Sequence, residues 1–299
     1  MVDVSVIIPV FNRINTIGRA IESVLNQSFD GSIEIIVSDD GSTDGTIEFV
    51  KSNYLNKVVL VEKNVDEKGA SAARNRGIKE AHGAYVCFLD SDDFYKQNFV
   101  TDLYTACHSE PGIGYAFCRV NKLIKRNDKC IETIWTRPRL NKLAIMYHVL
   151  YSSYCINTIS IMISKKILDK VGFFDTSLRV GEDSDMWLRI SEISEGRFVD
   201  VVGSIYCIAG FSGNQLTSVQ SDKNQCAILV MEKALHRYKM LQLKDKVRLF
   251  LIHRNLYMMK TTQKAGVFFF LYRQISVAIK LLFFCPLCTI KFLWKRIYA

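Results

Sequence analysis

The chain has 299 residues, of which 49% are hydrophobic and only four are proline, so it can bury a sizeable core and is neither disordered nor collagen-like. Its formal charge of +9 is uneven: residues 236–299 hold 13 Lys+Arg against one acid, Asp245, while residues 1–235 hold 26 Lys+Arg against 29 Asp+Glu. A slightly acidic body with a basic tail points to a tail that meets something anionic, lipid or nucleic acid. The nine cysteines lack paired metal-ligand spacings; Cys285 and Cys288, the one C-x-x-C pair, flank Pro286 in an apolar stretch. All nine are expected to be reduced thiols in a cytosol, and the N-terminus lacks the basic region and cleavage site of a signal peptide.

In chain order, Val4–Val10 is a β-branched run and reads as a buried strand. Thr16–Gln27 carries Ile17, Ala20, Ile21, Val24 and Leu25 at helical spacing, with Asn15 or Thr16 as N-cap. Ile33–Val37 is a second buried strand, Thr46–Asn53 a short helix and Val58–Glu62 a third strand; Ala70–Ala81 is a helix and Tyr85–Leu89 a fourth strand. Strands alternating with helices imply a parallel sheet with right-handed crossovers, and ligands in such sheets sit beyond the carboxyl ends of the strands. Further on, Phe99–His108 reads as helix, Ile113–Leu123 and Ile159–Ser164 as strands, Lys165–Val171 as a short helix, and 223–260 as two helices with mixed faces.

Beyond Lys264 the composition turns apolar: Val267–Tyr272, Leu281–Phe284 and Phe292–Trp294. The longest charge-free run here, Leu281–Ile290, is ten residues with Pro286 inside, half of the roughly 20 that a spanning helix needs. Arg273, Ser276 and Lys280 form one narrow polar stripe, with Lys291, Lys295 and Arg296 beyond. That is the pattern of a helix lying in a membrane interface, to be weighed against a helix packed on the domain.

Three acidic constellations stand out. Asp39-Asp40-Gly41-Ser42-Thr43-Asp44-Gly45 follows the second strand, where an acidic, glycine-rich turn is by itself an ordinary capping turn. Asp90-Ser91-Asp92-Asp93 follows the fourth strand, and three carboxylates in four residues repel unless a cation or water compensates. Mg²⁺ or Mn²⁺, hard ions that combine protein carboxylates with phosphate oxygens, would suit them. Gly181-Glu182-Asp183-Ser184-Asp185 opens a helix. The helix dipole alone favours carboxylates there, yet the motif also supplies candidates for a general base.

In sequence, Val4-Ser5-Val6-Ile7-Ile8-Pro9-Val10-Phe11-Asn12-Arg13, Ile35–Asp44, Gly69-Ala70-Ser71-Ala72-Ala73-Arg74-Asn75-Arg76-Gly77 and Phe88–Asp93 resemble, in order, the signatures of the family 2 glycosyltransferases, and Gly181-Glu182-Asp183 resembles that family's ED motif. The resemblance covers roughly residues 2–210. It implies a GT-A fold, a nucleotide-sugar-binding α/β domain with a mostly parallel central sheet. It also implies that Asp39 bonds a uracil ring with Asp40 beside it, and that Pro9, Phe11 and Arg13 wall the base and reach toward the phosphates. Phe11 replaces the tyrosine most common there, which keeps the stacking surface and loses the hydroxyl. Arg74 stands where the family has a basic residue by the nucleotide. Asp90 and Asp92 match the DxD pair, Asp92 on the metal and Asp90 toward ribose or metal. Asp183 matches the catalytic base, with Glu182 orienting the acceptor; spacing alone leaves Asp185 as a second candidate base.

The expectation is therefore a domain over 1–220 followed by a helical, basic and apolar membrane-associating region over 221–299. The chain is read as a metal-dependent inverting enzyme moving a hexose from UDP-glucose or UDP-galactose to a lipid-linked saccharide in surface-polysaccharide synthesis, bound peripherally to the cytoplasmic face of the inner membrane. Sugar specificity is expected in loops past Asp93 and around 140–180. A dinucleotide enzyme would need G-x-G-x-x-G after the first strand, where Pro9-Val10-Phe11-Asn12-Arg13-Ile14 stands, and no P-loop occurs. The non-enzyme alternative is an inactive nucleotide-sugar fold whose tail binds nucleic acid through basic residues interleaved with Tyr238, Tyr257, Phe270, Tyr272 and Trp294. The tail is more apolar than such an arm needs, so no nucleic-acid partner is expected.

Overall fold

The structure is a computed structural model, and residues 2–63, 67–126, 129–134, 156–208 and part of 229–237 are described. Contacts divide the chain into two compact units, Met1–Gln220 and Ser221–Ala299. The expected tail helix, Cys285 and Cys288, and the loop around 140–155 lie outside the described residues, as does most of 223–260. Among the described residues no helix is long and apolar enough to cross a membrane.

The first unit opens as β1 (Val4–Val10), α1 (Ile17–Leu25), β2 (Ile33–Asp39), α2 (Thr46–Tyr54), β3 (Val59–Val61), α3 (Ala70–Glu80) and β4 (Tyr85–Phe88). All seven residues of β1 are buried, as expected for a parallel strand covered on both faces. It pairs in parallel with β2, Val4 opposite Ile33 and Val10 opposite Asp39, and with β4, Ile7 opposite Phe88. Because the three strands are parallel and in register, the segments after β1, β2 and β4 leave the sheet at the same end.

The chain continues through β5 (Phe94–Tyr95), α4 (Phe99–His108), β6 (Ile113–Arg126), β7 (Lys129–Ile134), β8 (Ile161–Ser164), α5 (Lys165–Val171), α6 (Glu182–Ile193) and β9 (Glu195–Cys207). One sheet has the order β3-β2-β1-β4-β8-β6-β9-β5, and β7 pairs with β6. The half built from β1 to β4 is parallel. Beyond it, β8 runs antiparallel to both β4 and β6, and β5 antiparallel to β9, so the sheet is mixed rather than mostly parallel there.

Among the described residues the expected elements recur with ends moved by up to three residues in either direction. Thr16 takes the N-cap position of α1 but makes no side-chain cap bond. Strand β9 has no counterpart in the sequence reading, because Gly196, Asp200 and Gly203 argue against a strand. Both glycines instead admit a close neighbour: a Cβ at Gly196 would lie 2.2 Å from the Tyr115 ring, and one at Gly203 would lie 2.5 Å from Cys118 Sγ.

Candidate active site

The site is assembled where β1, β2 and β4 end. Residues 11–14 and 41–46 are stitched together by short polar side chains. Asn12 N–H donates to Ser42 Oγ (2.9 Å), Thr43 N–H donates to Asn12 Oδ1 (2.8 Å), and Arg13 N–H donates to Thr46 Oγ1 (2.9 Å). Asn12 holds φ +52°, a left-handed conformation in which Asn is tolerated. Phe11, 53% exposed, stands out from this loop as a flat apolar surface, while Pro9 is buried within β1.

Asp39 and Asp40 shape the loop they belong to. Asp39 accepts from the N–H of Gly41 (2.8 Å) and Ser42 (3.1 Å) and from the Ser42 hydroxyl (2.5 Å). Asp40 accepts from Gly69 N–H (2.6 Å), at the start of α3, and from Arg76 (2.9 Å). Arg76 also donates to the Asp39 carbonyl (2.9 Å). The sequence reading singled out Arg74 and passed over Arg76, yet Arg76 is the arginine at Asp39 and Asp40. Its signal was available: two residues along the same helix it points to a different side.

Arg74 lies elsewhere, between two acid groups. Buried to 4% exposure, it donates to Asp90 Oδ1 (2.8 Å) and to Glu182 Oε1 (3.1 Å), with its guanidinium 5.5 Å from the Phe174 ring centre. Burial works against its charge, but Asp90 and Glu182 outweigh burial and hold it above the usual arginine range. Thus one cation joins the acid loop after β4 to the start of α6.

Helix α6 is fixed by its far end. Trp187 packs 6.0 Å edge-on to Phe174, which in turn packs 5.2 Å from Phe88 of β4. Arg189 bonds the carbonyls of Val171 (2.7 Å) and Phe173 (3.0 Å) and takes Asp185 Oδ2 at 2.8 Å. Asp185, 2% exposed, is therefore held in an ion pair within its own helix. Asp183 differs: its Oδ1 accepts from Ser184 N–H (2.6 Å), and burial, then the neighbouring Glu182 charge, push its carboxyl up to about 7, against the pull of Arg74.

In the acid loop, Asp92 faces Arg13 Nε at 3.7 Å, with the Asp92 side chain 17% and the Asp90 side chain 32% exposed. Asp93 is fully buried; its Oδ1 accepts from Cys207 N–H (2.8 Å), and its Oδ2 has no hydrogen-bond partner among the described residues. Burial, then Asp90 and Asp92, push the Asp93 carboxyl well up. Among the described residues no three acidic, His or Cys side chains converge as a ready cage. Two partly exposed carboxylates with hard oxygens still fit Mg²⁺ or Mn²⁺ of the kind that completes its shell with substrate phosphates.

The sequence model described as "Glycosyl transferase family 2" matches residues 5–172. The Escherichia coli UDP-Glc:alpha-D-GlcNAc-diphosphoundecaprenol beta-1,3-glucosyltransferase WfaP is 31% identical over 206 residues, 68% of this chain and 76% of that protein. Across the curated relatives it matches, the chain spans shares of their length as different as 14% and 76%. Among solved structures, S. aureus TarS 1-349 in complex with UDP-GlcNAc superposes with a TM-score of 0.65 at 20% identity, covering 92% of this chain and 73% of that one. The mannosyltransferase PcManGT from Pyrobaculum calidifontis, in complex with GDP-Man and Mn2+, superposes at 0.56 with 17% identity over 95% of this chain and 81% of that one. The mixed α/β fold is the GT-A-like one these structures share.

Proposed function

The chain belongs to glycosyl transferase family 2, and from that premise we propose that it moves a hexosyl group, glucose first among candidates, from a UDP-sugar to a hydroxyl of a lipid-linked saccharide with inversion at the anomeric carbon. One observation carries the reading: Glu182 and Asp183 sit across Arg74 from Asp90, so a base and a donor-side carboxylate loop meet at one point. The choice of UDP-glucose and of a diphosphate-linked acceptor draws on WfaP, whose printed name describes that reaction.

An acceptor hydroxyl is a poor nucleophile at neutral pH, and a positioned carboxylate contributes about 10²–10⁴-fold by taking its proton during attack. Asp183 is the group for this: its carboxyl, at about 7, is basic enough to compete for that proton and still ionises at physiological pH. The pairing of Asp185 with Arg189 supports Asp183 over Asp185 as the base. Glu182, held by Arg74, orients the acceptor. On the donor side, Asp39 and Asp40 shape the uracil-facing loop, Phe11 and Pro9 wall the base, and Arg13 reaches the diphosphate. Asp92, with Asp90 beside it, would hold Mg²⁺ or Mn²⁺, whose charge offsets that of the departing diphosphate. A single displacement on an α-linked donor leaves a β linkage.

The test is UDP release by the purified full chain across UDP-Glc, UDP-Gal, UDP-GlcNAc and UDP-GalNAc, with a synthetic lipid-diphosphate sugar as acceptor, with and without EDTA. Acceptor-dependent release from UDP-Glc, lost in EDTA, is the expected result. Release from a different donor corrects the sugar, and release undiminished by EDTA overturns the metal.

A further inference from the structure

Helix α1 carries a polar stripe at i, i+4 and i+8: Arg19, Ser23 and, just past its end, Gln27. Every member bonds the backbone of the segment that begins at the acid loop. Arg19 Nη2 donates to the Asp92 carbonyl (2.5 Å), Ser23 Oγ accepts from Tyr95 N–H (3.1 Å), Gln27 Nε2 donates to the Lys96 carbonyl (2.8 Å), and Gln27 Oε1 accepts from Val100 N–H (2.9 Å). The first rung does more than the others. The same Arg19 nitrogen reaches Cys207 Sγ at 3.2 Å, and its guanidinium lies 5.2 Å from the Phe94 ring centre. Asp93 closes the knot by accepting from Cys207 N–H at 2.8 Å, and Phe94 is registered opposite Ile205. The loop is thereby tied on one side to α1 and on the other to the last residue of β9.

We propose that Arg19 is a positioning residue for the donor site: by gripping the Asp92 carbonyl and the end of β9 together, it fixes where the Asp92 carboxylate stands. The inference rests on the reading of Asp92 as a ligand to a divalent cation. The argument is geometric. A carboxylate that is to share a cation with a diphosphate stands where its backbone places it, and here the Asp92 carbonyl is held by Arg19 while the side chain faces Arg13 Nε at 3.7 Å. A lysine would keep the charge but bring a compact ammonium in place of the planar guanidinium, so it should keep only part of the grip. Residues that orient a metal ligand without touching the metal typically change affinity about 10–100-fold when removed.

The experiment measures UDP binding to the full chain by calorimetry, once in Mn²⁺ and once in EDTA, together with the melting temperature. In Arg19→Met the tightening of UDP by Mn²⁺ falls about tenfold or more, while UDP affinity in EDTA stays near that of the wild type; Arg19→Lys recovers part of it. Gln27→Leu removes the far rung and lowers the melting temperature but leaves the Mn²⁺ effect unchanged. Should Arg19→Met keep the full Mn²⁺ effect, or Gln27→Leu lose it equally, the stripe is scaffolding and the positioning role falls. Should the wild type itself bind UDP equally well with and without Mn²⁺, the cation reading of Asp92 falls first and takes this inference with it.

Discussion

Asp183, Glu182 and Asp185 occupy one helical turn, and spacing alone does not rank them. Their partners among the described residues differ: Arg189 takes Asp185, Arg74 takes Glu182, and Asp183 accepts from its own Ser184 beside the Glu182 charge. Part of this was legible in the sequence, since Asp185 and Arg189 stand at i and i+4, a spacing that pairs on a helix. Arg74 was not, because its reach across to Glu182 spans 108 residues of chain. The first expected outcome is kinetic: Asp183→Asn loses about 10³-fold or more of transfer, within the range of a lost general base, and keeps UDP binding by calorimetry. The second follows from linkage. A carboxyl at about 7 in the fold, against about 4 unfolded, binds more proton when folded, so stability falls as pH rises from about 4 to 7 and stays lower above. Asp183→Asn removes that loss; its melting temperature should exceed that of the wild type at pH 8 and match it at pH 4. Third, the acid limb of kcat/KM against pH should move in opposite directions in two variants. Glu182→Gln deletes a like charge and shifts the limb below 7; Arg74→Gln deletes the opposing cation and shifts it above. A common direction in both would rule out Asp183 as the titrating base.

At the scale of elements, α3 explains why its sequence is so polar and yet so buried. Four consecutive residues sweep about 300° of the helix and meet four different neighbours. Arg74 meets the two acid groups, Asn75 exchanges two bonds with the Phe174 backbone (2.8 and 2.9 Å), Arg76 meets Asp39 and Asp40, and Gly77 meets β1. At Gly77 two effects oppose each other. In a helix interior Gly→Ala normally gains about 1 kcal/mol. Here the added Cβ would stand 2.4 Å from Ile7 Cγ2, on a strand with no slack, and overpacking costs about 1–3 kcal/mol. The clash should win: Gly77→Ala is expected to be the less stable protein by about 1–2 kcal/mol in urea unfolding, and a gain in stability would refute the close approach of α3 to β1. The same contrast shows where sequence reading works for this fold. Strands β1, β2 and β4 announce themselves through largely apolar runs because most of their residues are buried on both faces. Strand β9 is held by its pairing with β6 and by glycines that admit Tyr115 and Cys118, a property of the neighbours rather than of its own residues.

For the whole molecule, the charge asymmetry sets up the last prediction, which concerns residues 265–299, outside the described part of the chain. We propose that this region holds the enzyme at the cytoplasmic face of the membrane, where a lipid-linked acceptor resides. Two forces would act there, and their sizes decide which dominates. Arg273, Lys280, Lys291, Lys295 and Arg296 each add about 1 kcal/mol against an anionic surface, a contribution that salt screens. The apolar side chains of Val267–Tyr272, Leu281–Phe284 and Phe292–Trp294 outnumber them, and each contributes about 1.5–3 kcal/mol when fully buried, with little dependence on salt. Apolar insertion should therefore carry most of the affinity, with the cations selecting anionic lipid. In co-sedimentation with vesicles, the full chain should bind phosphatidylglycerol-containing membranes more tightly than pure phosphatidylcholine, and 1 M salt should erase that preference without releasing the protein. Deleting 265–299 should release it from both, even though eight of the 13 basic residues counted from His236 onward remain. Retention of the truncated chain on phosphatidylglycerol alone, reversed by salt, would mean that those eight hold the membrane by charge and that the apolar segments serve some other contact.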